Sequence, residues 1–319
     1  MQSLTVITAR SNVAALTDEV GARLYAAFLA GRTEHTLRAY ANDLEGFSRF
    51  FGQPSPQAAL ALLLQSAPGD GDAILLDYRA HLSDGGLTPA TINRRLAAIS
   101  SAVKLGRTLG LTLWTPEIDG VKAQTYRDTL GPGIEGTRAM LAKARSQNGV
   151  KAARDAALIR LMFDLGLRRG EVCGLDIADL DIANHRLWIK GKGRAQKESR
   201  TLPPVTLACL NAWLALRSGT ALDSEAAIFV GLCGRTHGQR LTGRGLYHVI
   251  SGIGARAGLK TRPHGLRHAS ITAALDMNNG DVRAAQLHAR HADPQTTIRY
   301  DDNRRDLAGR VAQTLADVL

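Results

Sequence analysis

The sequence predicts a mainly α-helical protein in two parts, with one small β-sheet in the second. Three observations carry this. Apolar residues recur at helical spacing over residues 17–113. The stretch from Trp114 to Gly136 is irregular and holds Pro116, Gly120, Gly131, Pro132 and Gly133. After Asp179, short strand-like runs interrupt a second helical region. With 319 residues, 45% hydrophobic and 22% charged, the chain is long enough for two cores and ordinary in composition for a globular protein.

In the first part, helices are expected near 16–31, 34–51, 72–84 and 89–109. Thr88 before Pro89 marks the last start, because threonine caps a helix and proline suits its first position. Ile92, Leu96, Ile99 and Val103 then form one core-facing stripe. Thr91, Arg94, Arg95 and Ser101 lie off that stripe, on a face suited to DNA or simply to solvent. The second part reads as helical over 137–167. Strands are expected at 185–189 and 199–202 around a Gly191-Lys192-Gly193-Arg194 turn, and a short one at 227–230, with helices after Pro204.

The net charge of +11 is unevenly placed. Residues 1–125 hold 11 basic and 11 acidic side chains, residues 126–319 hold 29 and 18. A basic surplus of this kind attracts a polyanion; nucleic acid is the commonest, although ribosomal or anionic-lipid partners have the same charge requirement. No apolar run approaches the ~20 residues that span a bilayer, and residues 1–10 lack the order of a signal peptide, so a cytoplasmic protein without membrane contact is expected. Cys173, Cys209 and Cys233 form no CxxC pair and read as buried or incidental thiols.

The chemistry-bearing residues concentrate late in the chain: His264-Gly265-Leu266-Arg267-His268, then His291, then Tyr300. Imidazoles, a guanidinium and a phenol suit attack on a phosphate diester, the arginine neutralising the phosphate and the tyrosine oxygen serving as nucleophile. Arg168 stands at a helix end with Glu171 one turn on, where the carboxylate can support it or a neighbouring imidazole. His264/His268 and His288/His291 have spacings that also allow shared metal ligation, but no acidic residue sits inside the first pair. The phosphate reading is preferred, no metal site is expected, and His268 and His288 are assigned structural hydrogen bonds.

Taken together, Leu165-Gly166-Leu167-Arg168-Arg169-Gly170-Glu171-Val172-Cys173-Gly174-Leu175, Gly191-Lys192-Gly193, Pro263-His264-Gly265-Leu266-Arg267-His268, and the run from His291 through Thr296-Thr297-Ile298-Arg299-Tyr300 resemble the tyrosine recombinase (phage integrase) family, including its Xer-type members. The helical first part, with Thr36-Leu37-Arg38-Ala39-Tyr40 and residues 88–99, looks like that family's core-binding (SAM-like) domain. The layout implied is an N-terminal extension (1–16), a helical core-binding domain (17–115), a linker (116–135), a catalytic domain (136–303) and a C-terminal helix for protomer docking (304–319). No arm-binding domain is expected ahead of Thr17.

By this resemblance Tyr300 attacks the scissile phosphate to give a 3′-phosphotyrosyl bond and a free 5′-hydroxyl. Arg168 and Arg267 grip the non-bridging oxygens, and Lys192 protonates the leaving oxygen. His264 and His291 add phosphate hydrogen bonds or proton transfer, and Glu171 orients His264. Thr91, Arg94, Arg95 and Arg38 become DNA contacts. No cofactor is implied, since the phosphotyrosine keeps the energy of the broken bond; the sequence also lacks a GxxxxGK[ST] loop. The implied partners are double-stranded recombination sites and further copies of the chain, a dimer on each site and a tetramer in the synapse, with room for a partner recombinase. A type IB topoisomerase or a non-catalytic DNA-binding protein on the same fold are the alternatives.

Two departures stand out. Arg290 occupies the position before His291 where the family usually has glycine, and Lys190 and Lys197 lie close enough to the hairpin turn to compete with Lys192. In the tail, Leu307, Val311, Leu315 and Val318 recur at helical spacing.

Overall fold

A computed structural model describes residues 14–122 except Thr33, residues 131–300 except Lys192, Ala195 and Asp223, and residues 307–318. The chain divides into two compact units, Met1–Tyr126 and Arg127–Leu319.

The first unit is built from α1 (Ala14–Leu29), α2 (Glu34–Phe50), α3 (Pro56–Gln65), α4 (Pro68–Asp84) and α5 (Pro89–Thr108). Three of these begin with proline in the first turn, where its missing N–H costs nothing. Ser55 caps α3 by accepting from the Ala58 amide at 3.1 Å. Helix α3 was not expected from the sequence: its Ala-Ala-Leu-Ala-Leu-Leu-Leu run is apolar all round, so no 3.6-residue stripe announces it. The expected stripe of α5 is buried, from Ile92 to Val103, against Leu24, Phe28, Phe47, Leu60 and Tyr78. Helix α1 starts at Ala14, inside the stretch read as an extension.

In the second unit α6 (Gly133–Arg145) and α7 (Gly149–Asp164) divide what periodicity reads as one helix over 137–167. The break falls at Ser146–Asn148, and Gly149, with a left-handed φ of 54°, redirects the chain as α7 begins. Helix α7 is central, packing against α6, against α9 (Pro204–Arg217) and against α11 (Pro263–Met277). Its Leu158, Leu161 and Met162 share a core with Leu210, Trp213, Ile250 and Leu266. Between α7 and α9 lie the short α8 (Arg169–Cys173) and an antiparallel sheet of β1 (Leu180–Asp181), β2 (Arg186–Lys190) and β3 (Lys197–Thr201). Leu187 pairs with Arg200 and Ile189 with Glu198; both of these β2 side chains enter the core while Trp188 faces solvent.

Residues 227–230 do not form the expected strand. Ala227 and Val230 make only isolated bridges to Asp176 and Arg240, because no neighbouring segment runs alongside for more than one pair. After α10 (Gly243–Arg256) and α11 come α12 (Val282–Ala289), α13 (Pro294–Ile298) and α14 (Leu307–Ala316). Among the described residues no helix is long and apolar enough to cross a membrane.

Candidate active site

Three turns converge at the ends of α7, α11 and α12. Helix α7 stops at Leu165, and Gly166 reverses the chain with φ 57°. A side chain there would press on His288 Nε2 and Ser270 Oγ, at 3.2 and 3.3 Å from its Cβ. Arg168 follows as the N-cap of α8, and Glu171 folds back to accept from the Arg168 amide at 2.8 Å and from its guanidinium at 2.9 Å. Helix α11 starts on Pro263, which places His264 in its first turn and Arg267 one turn further. Helix α12 ends on Arg290, in the left-handed conformation, and sends the chain to His291 and on through α13 to Tyr300.

These turns enclose a cleft of about 640 Å³ lined by Arg168, His264, Arg267, His291 and Tyr300 together with Arg169, Tyr247, Arg262 and Thr296. Five residues singled out in the sequence therefore meet in one place. Lys192 lies outside the described residues. Lys197, one of its competitors, is bound to Asp179, whereas Lys190 is exposed at the end of β2.

Arg267 is 2% exposed and donates to the carbonyls of Gly166 and Ala289, the latter at 2.6 Å, and to His291 Nε2 at 2.9 Å. A guanidinium nitrogen can only donate, so Nε2 is the acceptor, and the neutral ring carries its proton on Nδ1, facing Thr297 Oγ1 at 2.9 Å. Burial, then the cations Arg267 and Arg168, push the His291 pKa down to about 4, which keeps the ring neutral near pH 7. The same causes, in the same order, lower His264, whose ring still reaches solvent. Burial and then Arg168 bring Arg267 down to about 10, so it remains charged.

Tyr300 is half-buried, its ring stacked on His291 at 5.6 Å and tilted against His268 at 4.7 Å. Its amide bonds the Thr297 carbonyl at 2.9 Å. Thr297 thus fixes both the imidazole and the chain leading to the phenol, a role that a threonine in a polar stretch does not advertise in sequence. His268 and His288 make hydrogen bonds within the fold, His268 to Thr272 at 3.4 Å and His288 to Ser270 at 2.8 Å. Among the described residues no group of three or more His, Cys, Asp or Glu could hold a metal ion.

The assignment of Glu171 to His264 is not what the structure has. The carboxylate is occupied by Arg168 and by Arg290, because the capping of α8 folds Glu171 back onto its N-cap residue, Arg168. Burial alone would raise its pKa, but Arg290 and the Arg168 amide and guanidinium more than offset this and hold it below the usual carboxylate range.

In the first unit the expected DNA-facing residues are partly engaged with their own fold. Arg94 pairs with Asp43 and Arg95 Nε lies 3.8 Å from it, while Thr91 Oγ1 is 3.0 Å from the Thr88 hydroxyl. Arg38 is exposed on α2.

The model of the phage integrase family matches residues 137–306, more than half the chain and all five cleft residues. The chain belongs to this family. It is a tyrosine recombinase, an enzyme that breaks and rejoins DNA, and a tyrosine recombinase of Synechocystis sp., slr0733, is 38% identical to it over 296 residues, covering 90% of this chain and 92% of the relative. A Synechococcus elongatus tyrosine recombinase is 36% identical, covering 90% and 91%, and the XerC recombinase of Mycobacterium tuberculosis is 28% identical, covering 86% and 90%. Among solved structures the recombinase fold is shared with XerH bound to a palindromic difH substrate (TM-score 0.67, 21% identity, 87% of this chain and 80% of that one). It is likewise shared with a lambda integrase fragment, a dimer bound to a COC′ core site (TM-score 0.66, 15% identity, 90% and 95%).

Proposed function

We propose that this recombinase is site-specific and cleaves one DNA strand at a time through Tyr300, in the service of integration, excision or resolution of DNA. The observation that carries the reading is the single cleft shared by Tyr300, Arg168, Arg267, His264 and His291. The tyrosine oxygen bonds to phosphorus as the bond to the 5′-oxygen breaks, leaving a 3′-phosphotyrosyl link and a 5′-hydroxyl. Reversal by another 5′-hydroxyl rejoins the strand, and since the bond energy is conserved neither metal nor nucleotide is needed.

Arg168 and Arg267 stabilise the charge that builds on the non-bridging oxygens. His264 donates to the phosphate or moves the tyrosine proton, and His291, whose one ring proton faces Thr297, serves the same phosphate by holding Arg267 on its Nε2. Lys192, from the β2–β3 turn, gives a proton to the leaving oxygen. Residues 17–115 serve as the core-binding domain, contacting DNA through Arg38, Thr91, Arg94 and Arg95, with 136–303 as the catalytic domain. Assembly is a dimer on each site and a tetramer in the synapse, with or without a partner recombinase. Its coupling device is α14, too short to be stable alone, with Val311 and Leu315 at least 58% exposed.

The decisive experiment replaces Tyr300 by phenylalanine. Only the nucleophilic oxygen is lost, so covalent capture of a nicked duplex should vanish while binding stays within about twofold of the native protein. A covalent complex formed by the variant would remove Tyr300 from the role.

A further inference from the structure

Arg290 is placed against every local preference. Its backbone has φ 54° and ψ 46°, a left-handed conformation that costs a side-chain-bearing residue on the order of 1 kcal/mol and suits glycine. Its side chain is 3% exposed, and its Nε is buried without a hydrogen-bond partner. Burying a guanidinium in this way is expensive, and replacing a buried ion triad by apolar groups is often neutral or stabilising. Economy of folding therefore does not account for an arginine here.

What the residue does accomplish is specific. Its NH2 binds Glu171 Oε2 and its NH1 reaches the Leu165 carbonyl at 3.3 Å. The same Glu171 accepts from the Arg168 guanidinium on Oε1. One carboxylate thus stands between two arginines, Arg168 partly exposed in the cleft and Arg290 buried behind it. The backbone of Arg290 adjoins Ala289, whose carbonyl holds Arg267, and His291, which Arg267 also contacts. A single residue therefore ties the Arg168 turn to the turn that carries Arg267 and His291.

We propose that Arg290 is a positioning residue for strand cleavage: by sharing the Glu171 carboxylate it fixes Arg168 at the cleft wall and leaves that arginine's charge uncancelled towards the phosphate. With Arg290 absent, Glu171 and Arg168 form a neutral pair. With it present, the triad carries one net positive charge next to the scissile group, and the electrostatic gain falls where transition-state charge develops. The inference rests on the reading of Arg168 as a phosphate ligand.

The test uses full-length protein and a nicked duplex bearing the cleavage site mapped with the native enzyme, in two forms: the natural diester, and a methylphosphonate that has no negative charge on its non-bridging positions. Arg290→Gly fits the backbone and Arg290→Lys keeps a charge, so at least one variant folds, as thermal melting and duplex binding will report. Arg290→Gly should slow single-turnover covalent capture of the diester by roughly 10²-fold at saturating DNA, the scale for a misplaced catalytic group. Arg290→Lys should recover part of that loss. On the methylphosphonate the gap between native protein and Arg290→Gly should close to within about fivefold, because there is no anion left to neutralise.

A native rate for Arg290→Gly on the diester would overturn the proposal, and so would a defect of equal size on both duplexes, which marks a purely structural role. Arg168→Ala run alongside separates the two layers. If Arg168→Ala cleaves normally, the reading of Arg168 itself is wrong; if it is inactive while Arg290→Gly is unimpaired, only the inference about Arg290 falls.

Discussion

Arginine is used in opposite ways in the two units. In the second, Arg267 is held by two backbone carbonyls and a neutral imidazole, acceptors that fix the fork but carry no charge, so its positive charge survives at the cleft. In the first, Arg94 and Arg95 converge on Asp43, a carboxylate only 2% exposed, and their charge is partly spent on the fold. Arg168 lies between these cases, since it has an anionic partner but shares it with Arg290. An arginine fixed by neutral acceptors is prepared for a ligand; one fixed by a buried carboxylate is first a structural element.

The strongest test of this contrast is Arg267→Lys. A lysine keeps the charge but cannot span Gly166, Ala289 and His291 from one planar group. Cleavage should fall by about 10² to 10³-fold, as for loss of one preorganised donor, while binding to the same duplex changes little. A variant within a few-fold of the native cleavage rate would show that charge alone matters and orientation does not.

Acid should separate the units next. Burial, then Arg290 and Arg267, bring His288 down to about 4, and His291 is also down to about 4. In the unfolded chain both imidazoles take up protons near pH 6.5. The native second unit thus binds fewer protons than its unfolded form, and its stability is complete above that pH and is lost as pH falls through about 4. In the first unit burial raises Asp43 despite Arg94, a shift of opposite sign that adds stability as pH falls. Residue-resolved hydrogen exchange, corrected for intrinsic rates, should show weaker protection in α11 and α12 at pH 5 than at pH 7, and no such loss around Asp43. Equal loss in both units would contradict these shifts.

Thr297→Val removes the acceptor of the His291 Nδ1 proton while keeping shape. Cleavage should drop by roughly tenfold, the lower end for a group that orients a direct participant. An unchanged rate together with an unchanged pH profile would show that the Arg267 contact alone sets the ring.

The smallest effect is expected from Asp43→Ala. Arg94 is 45% exposed and can rehydrate, so the first unit should lose only about 1 kcal/mol. Two arginines released from their anion should then bind duplex DNA more tightly at low salt and steepen the salt dependence. Binding that weakens instead would mean that Asp43 orients these side chains for DNA.

Much of this was legible along the chain. Motifs with a fixed local geometry announced themselves: proline at the start of α5, the core stripe of α5, and the two strands that flank residues 191–194. Helix α3 was not, since an apolar run lacks a period, and the break before α7 was hidden because periodicity continues on both sides of Gly149. Within the site, residue types conveyed the chemistry but not the pairing. Glu171 and Arg290 are 119 residues apart, and no local rule chooses which arginine a carboxylate will meet. Arg262 and Tyr247 joined the cleft unannounced for the same reason.

Composition and short-range periodicity carried the residue types that handle a phosphate diester, their order, the basic surplus from residue 126 onward and the helical character of both parts. Long-range packing set the rest: His291 presents Nε2 to Arg267, Glu171 serves two arginines in place of His264, and Arg94 and Arg95 answer first to Asp43. Each of these depends on which helix ends meet in space and how far they exclude water, and both are fixed by packing between residues far apart in the chain.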